Sequence, residues 1–90
     1  MYLTQHANVR SRQRAIPPLV IDLLLQFGVS ETVGQNVTKV FFDKASRRRV
    51  KAYAGPLGNL LEEHLNVYAV VGADSKVITV AHRLERLHRH

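Results

Sequence analysis

A chain of 90 residues has room for one hydrophobic core, so we expect a single domain spanning 1–90. The absence of cysteine excludes disulfides, a thiolate nucleophile and a cysteine-based zinc site, and we expect neither a metal nor another cofactor. Thirteen lysine and arginine residues against seven acidic residues give a net charge of +6, which favours an acidic partner such as nucleic acid or an acidic protein.

The apolar stretch 16–29 follows a group of arginines and so imitates a signal peptide. Two prolines begin this stretch, Asp22 interrupts it, and it is too short to span a bilayer. We therefore expect a cytoplasmic protein that does not enter a membrane, with this stretch forming an amphipathic helix.

Two helices are predicted at the N-terminus. Thr4 can cap a first helix that extends to about residue 14, and the prolines that follow break it. Proline is tolerated in the first turn of a helix, so a second helix is predicted over 18–27. We expect that helix to end at Gly28, as a glycine in the left-handed conformation commonly ends a helix.

The middle of the chain predicts a hairpin followed by a third helix. The segments 30–33 and 37–43 have strand character and surround a turn. Asp43 can cap a helix over 44–54, which the following glycine and proline close. Asn59 lies three residues before Glu62, a spacing that suggests another capped turn reaching residue 64.

Two more strands, 67–71 and 77–81, are joined by a polar loop. Both are apolar on successive residues, which predicts that both are central strands of the sheet. The predicted order is α-α-β-β-α-β-β. It corresponds to an α+β domain in which the N-terminal helices and one middle helix pack on a four-stranded antiparallel sheet.

Two clusters of histidine and arginine are candidates for chemistry. In the first helix His6, Arg10 and Arg14 are each four residues apart and form one stripe. His82 and Arg83 follow an apolar strand, and strand alternation directs them to opposite faces of the sheet. Histidine can transfer protons near neutral pH, and arginine can hold a phosphate. The alternative is that both clusters are solvated basic surfaces.

Other cations and aromatic residues allow further readings. The segment 47–51 contains three arginines and a lysine, which can face an anionic surface or only provide solubility. Tyr2, Tyr53 and Tyr68 could stack on unpaired bases, but Tyr68 lies within an apolar strand and is predicted to be in the core.

Four segments of the chain resemble a small, uncharacterised bacterial family, a domain of unknown function. These segments are HANVRSRQRAI, IPPLVIDLLLQFG, FFDKASRRRVKAYAG and VITVAHRLER. The most specific parts are the HA…R…QRxI pattern near the start and TVxHR near the end. Ala15 and Ala81 stand where glycine is usual in that family.

That family is similar in element order and basic character to the RelE/ParE-like toxins. The similarity implies a metal-independent ribonuclease whose partners are RNA or the ribosome and an acidic antitoxin-like protein. On the matching positions it implies His6 and His82 as catalytic residues, and Arg10, Arg14 and Arg83 as substrate-binding residues.

The sequence is therefore consistent with two functions. In the first, the protein binds RNA and cleaves it, because the RNA 2′-hydroxyl is the nucleophile and the enzyme need only move protons and stabilise charge. In the second, it is a non-catalytic module that binds nucleic acid or an acidic partner protein. The oligomeric state stays open.

Overall fold

A four-stranded antiparallel sheet with helices on one face forms the fold, which confirms the α+β prediction. The computed structural model describes residues 4–7, 9 and 15–83. The elements are α1 (Pro18–Phe27), β1 (Val29–Gly34), β2 (Val37–Phe41), α2 (Lys44–Ala54), α3 (Gly58–Leu61), β3 (Val67–Gly72) and β4 (Val77–His82). Short 3₁₀ helices, Gly55–Leu57 and Glu62–His64, flank α3.

Helix α1 begins at Pro18. The N–H of the first residue of a helix has no hydrogen-bond partner inside the helix, so proline, which lacks this group, is tolerated there. Its buried side chains are Val20, Ile21, Leu23 and Leu24. Asp22 and Gln26 are exposed, as their positions on the wetter side predicted, whereas Leu19 is 53% exposed although it is apolar.

Gly28 ends α1, but for a different reason from the one predicted. Its φ of −67° and ψ of 166° are extended values that any residue can adopt. A Cβ at this position would lie 2.5 Å from the Leu24 carbonyl oxygen and 3.0 Å from that of Phe41. Glycine is therefore required by the close approach of two backbone segments and not by a left-handed conformation.

Helix α2 begins where its sequence predicts. The Asp43 carboxylate accepts a hydrogen bond from the Ser46 backbone N–H at 2.8 Å, and the Ser46 hydroxyl accepts one from the Asp43 N–H at 2.8 Å. This reciprocal pair is a capping box. The bond from the Ser46 backbone is the main cause that lowers the pKa of Asp43 below its ordinary value.

The predicted cap at Asn59 is not formed. Asn59 lies inside α3, which follows Leu57 without a side-chain capping bond. The chain instead continues from α2 through a 3₁₀ turn directly into α3, so the helical turns to residue 64 are confirmed but their predicted start is wrong.

The sheet order is β1-β2-β3-β4, and every neighbouring pair is antiparallel. Strand β3 is central, as predicted, but β4 pairs only with β3 among the described strands and lies at the edge. Part of that edge is covered by the N-terminus. The Thr4 N–H donates to the Val77 carbonyl at 3.1 Å, and the Thr4 hydroxyl donates to the Ile78 carbonyl at 3.3 Å.

The Thr4 hydroxyl also accepts a hydrogen bond from the Ala7 N–H at 3.1 Å, so Thr4 caps the first helix as predicted. The helical residues described there are 5–7 and 9, and Ala7 is fully buried in the core. The N-terminal segment is thus fixed both to the edge of β4 and to the helical layer.

The hydrophobic core lies between the helices and one face of the sheet. Val40, Ala69 and Val80 lie side by side on β2, β3 and β4 and are at most 6% exposed. They pack in one cluster with the buried side chains of α1 and with Val50 of α2. Since successive residues of a strand point to opposite faces, the residues between them lie on the other face, named here the open face.

We predict that the Asp43 cap makes the stability of the protein depend on acid pH. Because its pKa is lowered on folding, the stabilisation is fully present above about pH 4 and is lost as the pH falls through the lowered pKa. Asp43→Asn should keep a capping oxygen but remove this titration. Thermal melting of both proteins at several pH values checks this, and parallel pH profiles would contradict it.

We predict that Gly28→Ala destabilises the protein by about 1–3 kcal/mol, because the added Cβ meets backbone atoms that cannot move independently. Gly34→Ala is the matched control, since its Cβ would have its nearest neighbour at 3.9 Å and should cost less than about 0.5 kcal/mol. Urea denaturation measures both, and equal losses would refute the role of close approach at Gly28.

Candidate nucleic-acid interface

Two rows of side chains cross the open face at right angles to the strands. The first row consists of Val29, Phe41, Tyr68 and Ala81, and the second of Glu31, Lys39, Val70 and Thr79. Each row follows from the pairing register, which places one residue of every strand opposite its neighbour. Aromatic side chains therefore lie side by side at the centre of the sheet, with a lysine in the adjacent row.

Two cations lie over these aromatic rings. The Lys39 ammonium nitrogen is 4.8 Å from the ring centroid of Tyr68 and 6.0 Å from that of Phe41. The guanidinium carbon of Arg83 is 4.9 Å from the Phe41 centroid. These distances are within the range of cation–π attraction. We call Lys39, Phe41, Tyr68 and Arg83 the aromatic–basic cluster.

Arg83 is held by its backbone and by its side chain. Its N–H donates to the Asn66 carbonyl at 2.8 Å, which extends the pairing of β3 with β4 by one residue. Its Nη1 donates to the Phe42 carbonyl at 3.2 Å. The side chain thus crosses from the end of the edge strand β4 to β2, and the guanidinium is positioned by the fold.

The two cations are close enough to act on one ligand. Both lie within 6.0 Å of the Phe41 ring centroid, so they are separated by at most about 11 Å. Glu31, across from Lys39 on β1, is the acidic side chain of the described open face. Anionic groups of one extended ligand would each accept a charge-assisted hydrogen bond from one of the two cations.

The described residues place the start of the first predicted cluster and the second cluster near opposite ends of β4. Thr4, two residues before His6, is bonded at the start of β4, whereas His82 is its last residue. Five residues of strand correspond to about 16 Å. His6 and His82 are both exposed. Arg10 and Arg14 lie outside the described residues, so the predicted stripe cannot be compared with the site.

His82 and Arg83 point to opposite faces of the sheet, as strand alternation predicted. His82 pairs with the buried Val67 and shares the helix-covered side of the sheet with Val80. Arg83 lies on the open face over Phe41. Of the predicted site residues that the structure describes (His6, His82 and Arg83), Arg83 is therefore the one that belongs to the aromatic–basic cluster.

The basic segment of α2 is divided between structural and exposed side chains. Arg47 donates to the side-chain oxygen of Asn66, and Lys51 forms a salt bridge with Glu62 at 2.9 Å. Arg48 and Arg49 are exposed. These cations belong to α2, and Arg47 and Arg83 are linked through Asn66, whose carbonyl accepts the Arg83 N–H.

The sequence reasoning missed Lys39, Phe41 and the position of Tyr68. Tyr68 is partly exposed on the open face and not part of the core, because it alternates with the buried Val67 and Ala69. The signal was present in the spacing of Lys39 and Phe41, which lie two apart and so share one face of β2. The spacing indicates that Lys39 and Phe41 lie on the same face of the sheet, but it does not indicate which face the helices cover.

Other chemistries have less support in the described part of the chain. It contains no group of three or more His, Cys, Asp or Glu side chains that could hold a metal ion. His64 lies 3.4 Å from Glu63, and both side chains are largely exposed. None of its helices is long and apolar enough to cross a membrane.

No family model, curated protein or solved structure matches this chain. The aromatic–basic cluster is therefore the feature from which a function can be inferred.

We predict that the ring of Tyr68 shifts the NMR resonances of the Lys39 ε-methylene protons upfield, because a group above an aromatic face lies in its shielding zone. Tyr68→Leu should move these resonances towards those of Lys44, an exposed lysine on α2. A proton–carbon correlation spectrum measures the change. A Lys39 resonance that the substitution leaves in place would show that the ammonium does not lie over the ring.

Proposed function

We propose that this protein binds RNA through the open face of its sheet. The observation that carries the proposal is the aromatic–basic cluster, in which Lys39 and Arg83 lie over the rings of Tyr68 and Phe41. Proteins recognise RNA by combining cations for phosphates with aromatic side chains for bases, often on a sheet surface. The net charge of +6 adds long-range attraction to a polyanion.

The contacts that RNA would make with the cluster are larger in energy than the contacts that the four side chains make with one another. An exposed cation–π contact contributes about 0.5–1 kcal/mol. A base stacked on an aromatic ring contributes about 1–3 kcal/mol, and a hydrogen bond to a charged group about 1.5–3 kcal/mol. Each contact with RNA is therefore at least as large as the cation–π contact that it replaces, and the surplus offsets part of the cost of association.

An acidic partner protein is the competing ligand for the same cations. An acidic protein would bind Lys39 and Arg83, but it has no bases to stack on the rings of Phe41 and Tyr68, which lie side by side. It would therefore gain less binding energy from the two aromatic side chains. RNA uses all four members of the cluster, and we therefore favour it over an antitoxin-like partner.

Cleavage requires more than the cluster supplies. General acid–base transfer needs a group that can exchange a proton beside the bound phosphate. The aromatic–basic cluster contains no histidine and no carboxyl group, and His82 lies on the helix-covered side of the sheet. We therefore propose binding without cleavage at this site. The alternative hypothesis is a toxin-like ribonuclease that uses His6 and His82. The following experiment distinguishes it from binding without cleavage.

We predict that Lys39→Gln and Arg83→Gln each weaken the binding of single-stranded RNA about fivefold, which corresponds to about 1 kcal/mol. Each should also reduce the dependence of log affinity on log salt by about 0.7, because one fewer counterion is released. Lys44→Gln and Arg48→Gln remove the same charge from the helical layer and are the matched controls. Fluorescence anisotropy over a salt series measures both quantities.

Several results would overturn this assignment. Equal losses in the α2 variants would show that net charge alone drives binding, and no binding at low salt would leave an acidic protein as the partner. RNA that is cut by the wild type but not by His6→Ala or His82→Ala would establish the toxin-like ribonuclease instead.

A further inference from the structure

On the basis of the proposed function, we infer that the open face takes an unpaired strand, with one base on the ring of Tyr68 and a neighbouring base on the ring of Phe41. Phe41 and Tyr68 are directly opposite each other on β2 and β3. Opposite residues in an antiparallel pair have Cα atoms about 4.5–5.5 Å apart. Successive nucleotides stacked in a helix rise about 3.4 Å, so two rings at this spacing suit two consecutive nucleotides of a slightly extended strand.

The two rings differ in how their neighbours in the row are covered. The first row continues with Val29 on one side and Ala81 on the other, and both side chains are smaller than the rings. Ala81 is only 8% exposed, whereas Val29 is partly exposed. In the described part of the chain, the helices that form the core pack on the opposite face. A flat ligand on the rings therefore extends towards Val29 and not towards Ala81.

The two cations come from backbone positions on opposite sides of this row, and their side chains reach over its rings. Lys39 belongs to the second row, towards one end of the strands, whereas Arg83 follows Ala81 by two residues towards the other end. The sugar–phosphate backbone of a strand whose bases occupy the row would meet a cation on whichever side it runs. Base and phosphate contacts are thus available together.

A duplex cannot use this surface in the same way. Its bases are stacked on one another and present only their edges, so the faces that would contact Tyr68 and Phe41 are covered. The cluster should therefore distinguish unpaired from paired RNA, and it should do so with little preference for sequence because every base has a π-face.

The test compares three ligands: an oligoadenylate decamer, an abasic decamer with the same number of phosphates, and the oligoadenylate paired with oligouridylate, which carries the phosphates of two strands. Wild-type protein should bind the oligoadenylate about tenfold more tightly than the abasic decamer or the duplex at the same salt concentration. Tyr68→Leu and Phe41→Leu should lose most of this difference.

Tyr53→Leu is the matched control, since Tyr53 is 68% exposed on α2 and lies outside the cluster. Far-ultraviolet circular dichroism shows whether each variant is folded, and the wild-type comparison of the three ligands needs no variant at all.

Equal affinity of the wild type for the oligoadenylate and the abasic decamer would overturn base stacking while leaving RNA binding intact. Failure to bind any of the three ligands would instead refute the proposed function.

Discussion

Burial of one face of the sheet against the helices is the constraint on which the rest of the structure depends. Val40, Ala69 and Val80 point into the core, so the residues that alternate with them must point away from it. The side chains of the open face therefore have to be stable next to water. Lys39 and Arg83 meet this requirement together with the rings, because each cation covers part of an aromatic surface while it remains partly exposed.

The contacts that complete the sheet also prepare the proposed site. The backbone N–H of Arg83 extends the pairing of β4 with β3 by donating to the Asn66 carbonyl. Its side chain donates to the carbonyl of Phe42, the residue that directly follows β2. These bonds restrict the guanidinium before any ligand arrives, so less conformational entropy is lost on binding. The same side chain thus contributes to stability and to recognition.

Local chemistry explains which parts of the fold could be predicted. The bounds of α2 follow from Asp43 and Ser46 at one end and Gly55 at the other, all of which act within a few residues of sequence. The order of helices and strands follows in the same way from periodicity. Tyr68 and the edge position of β4 were mispredicted because an apolar run does not reveal how many neighbours a strand has or which face the helices cover.

The sequence by itself determined the α+β class, the order of the elements, the cap of α2 and the opposite directions of His82 and Arg83, since each depends on short-range geometry. Only the tertiary structure decided which residues share a surface. Lys39 and Arg83 are more than forty positions apart, and the pairing of β2, β3 and β4 brings them to the same rings. The reason is that strand register and helix placement are set by burial of the whole core, to which many distant residues contribute.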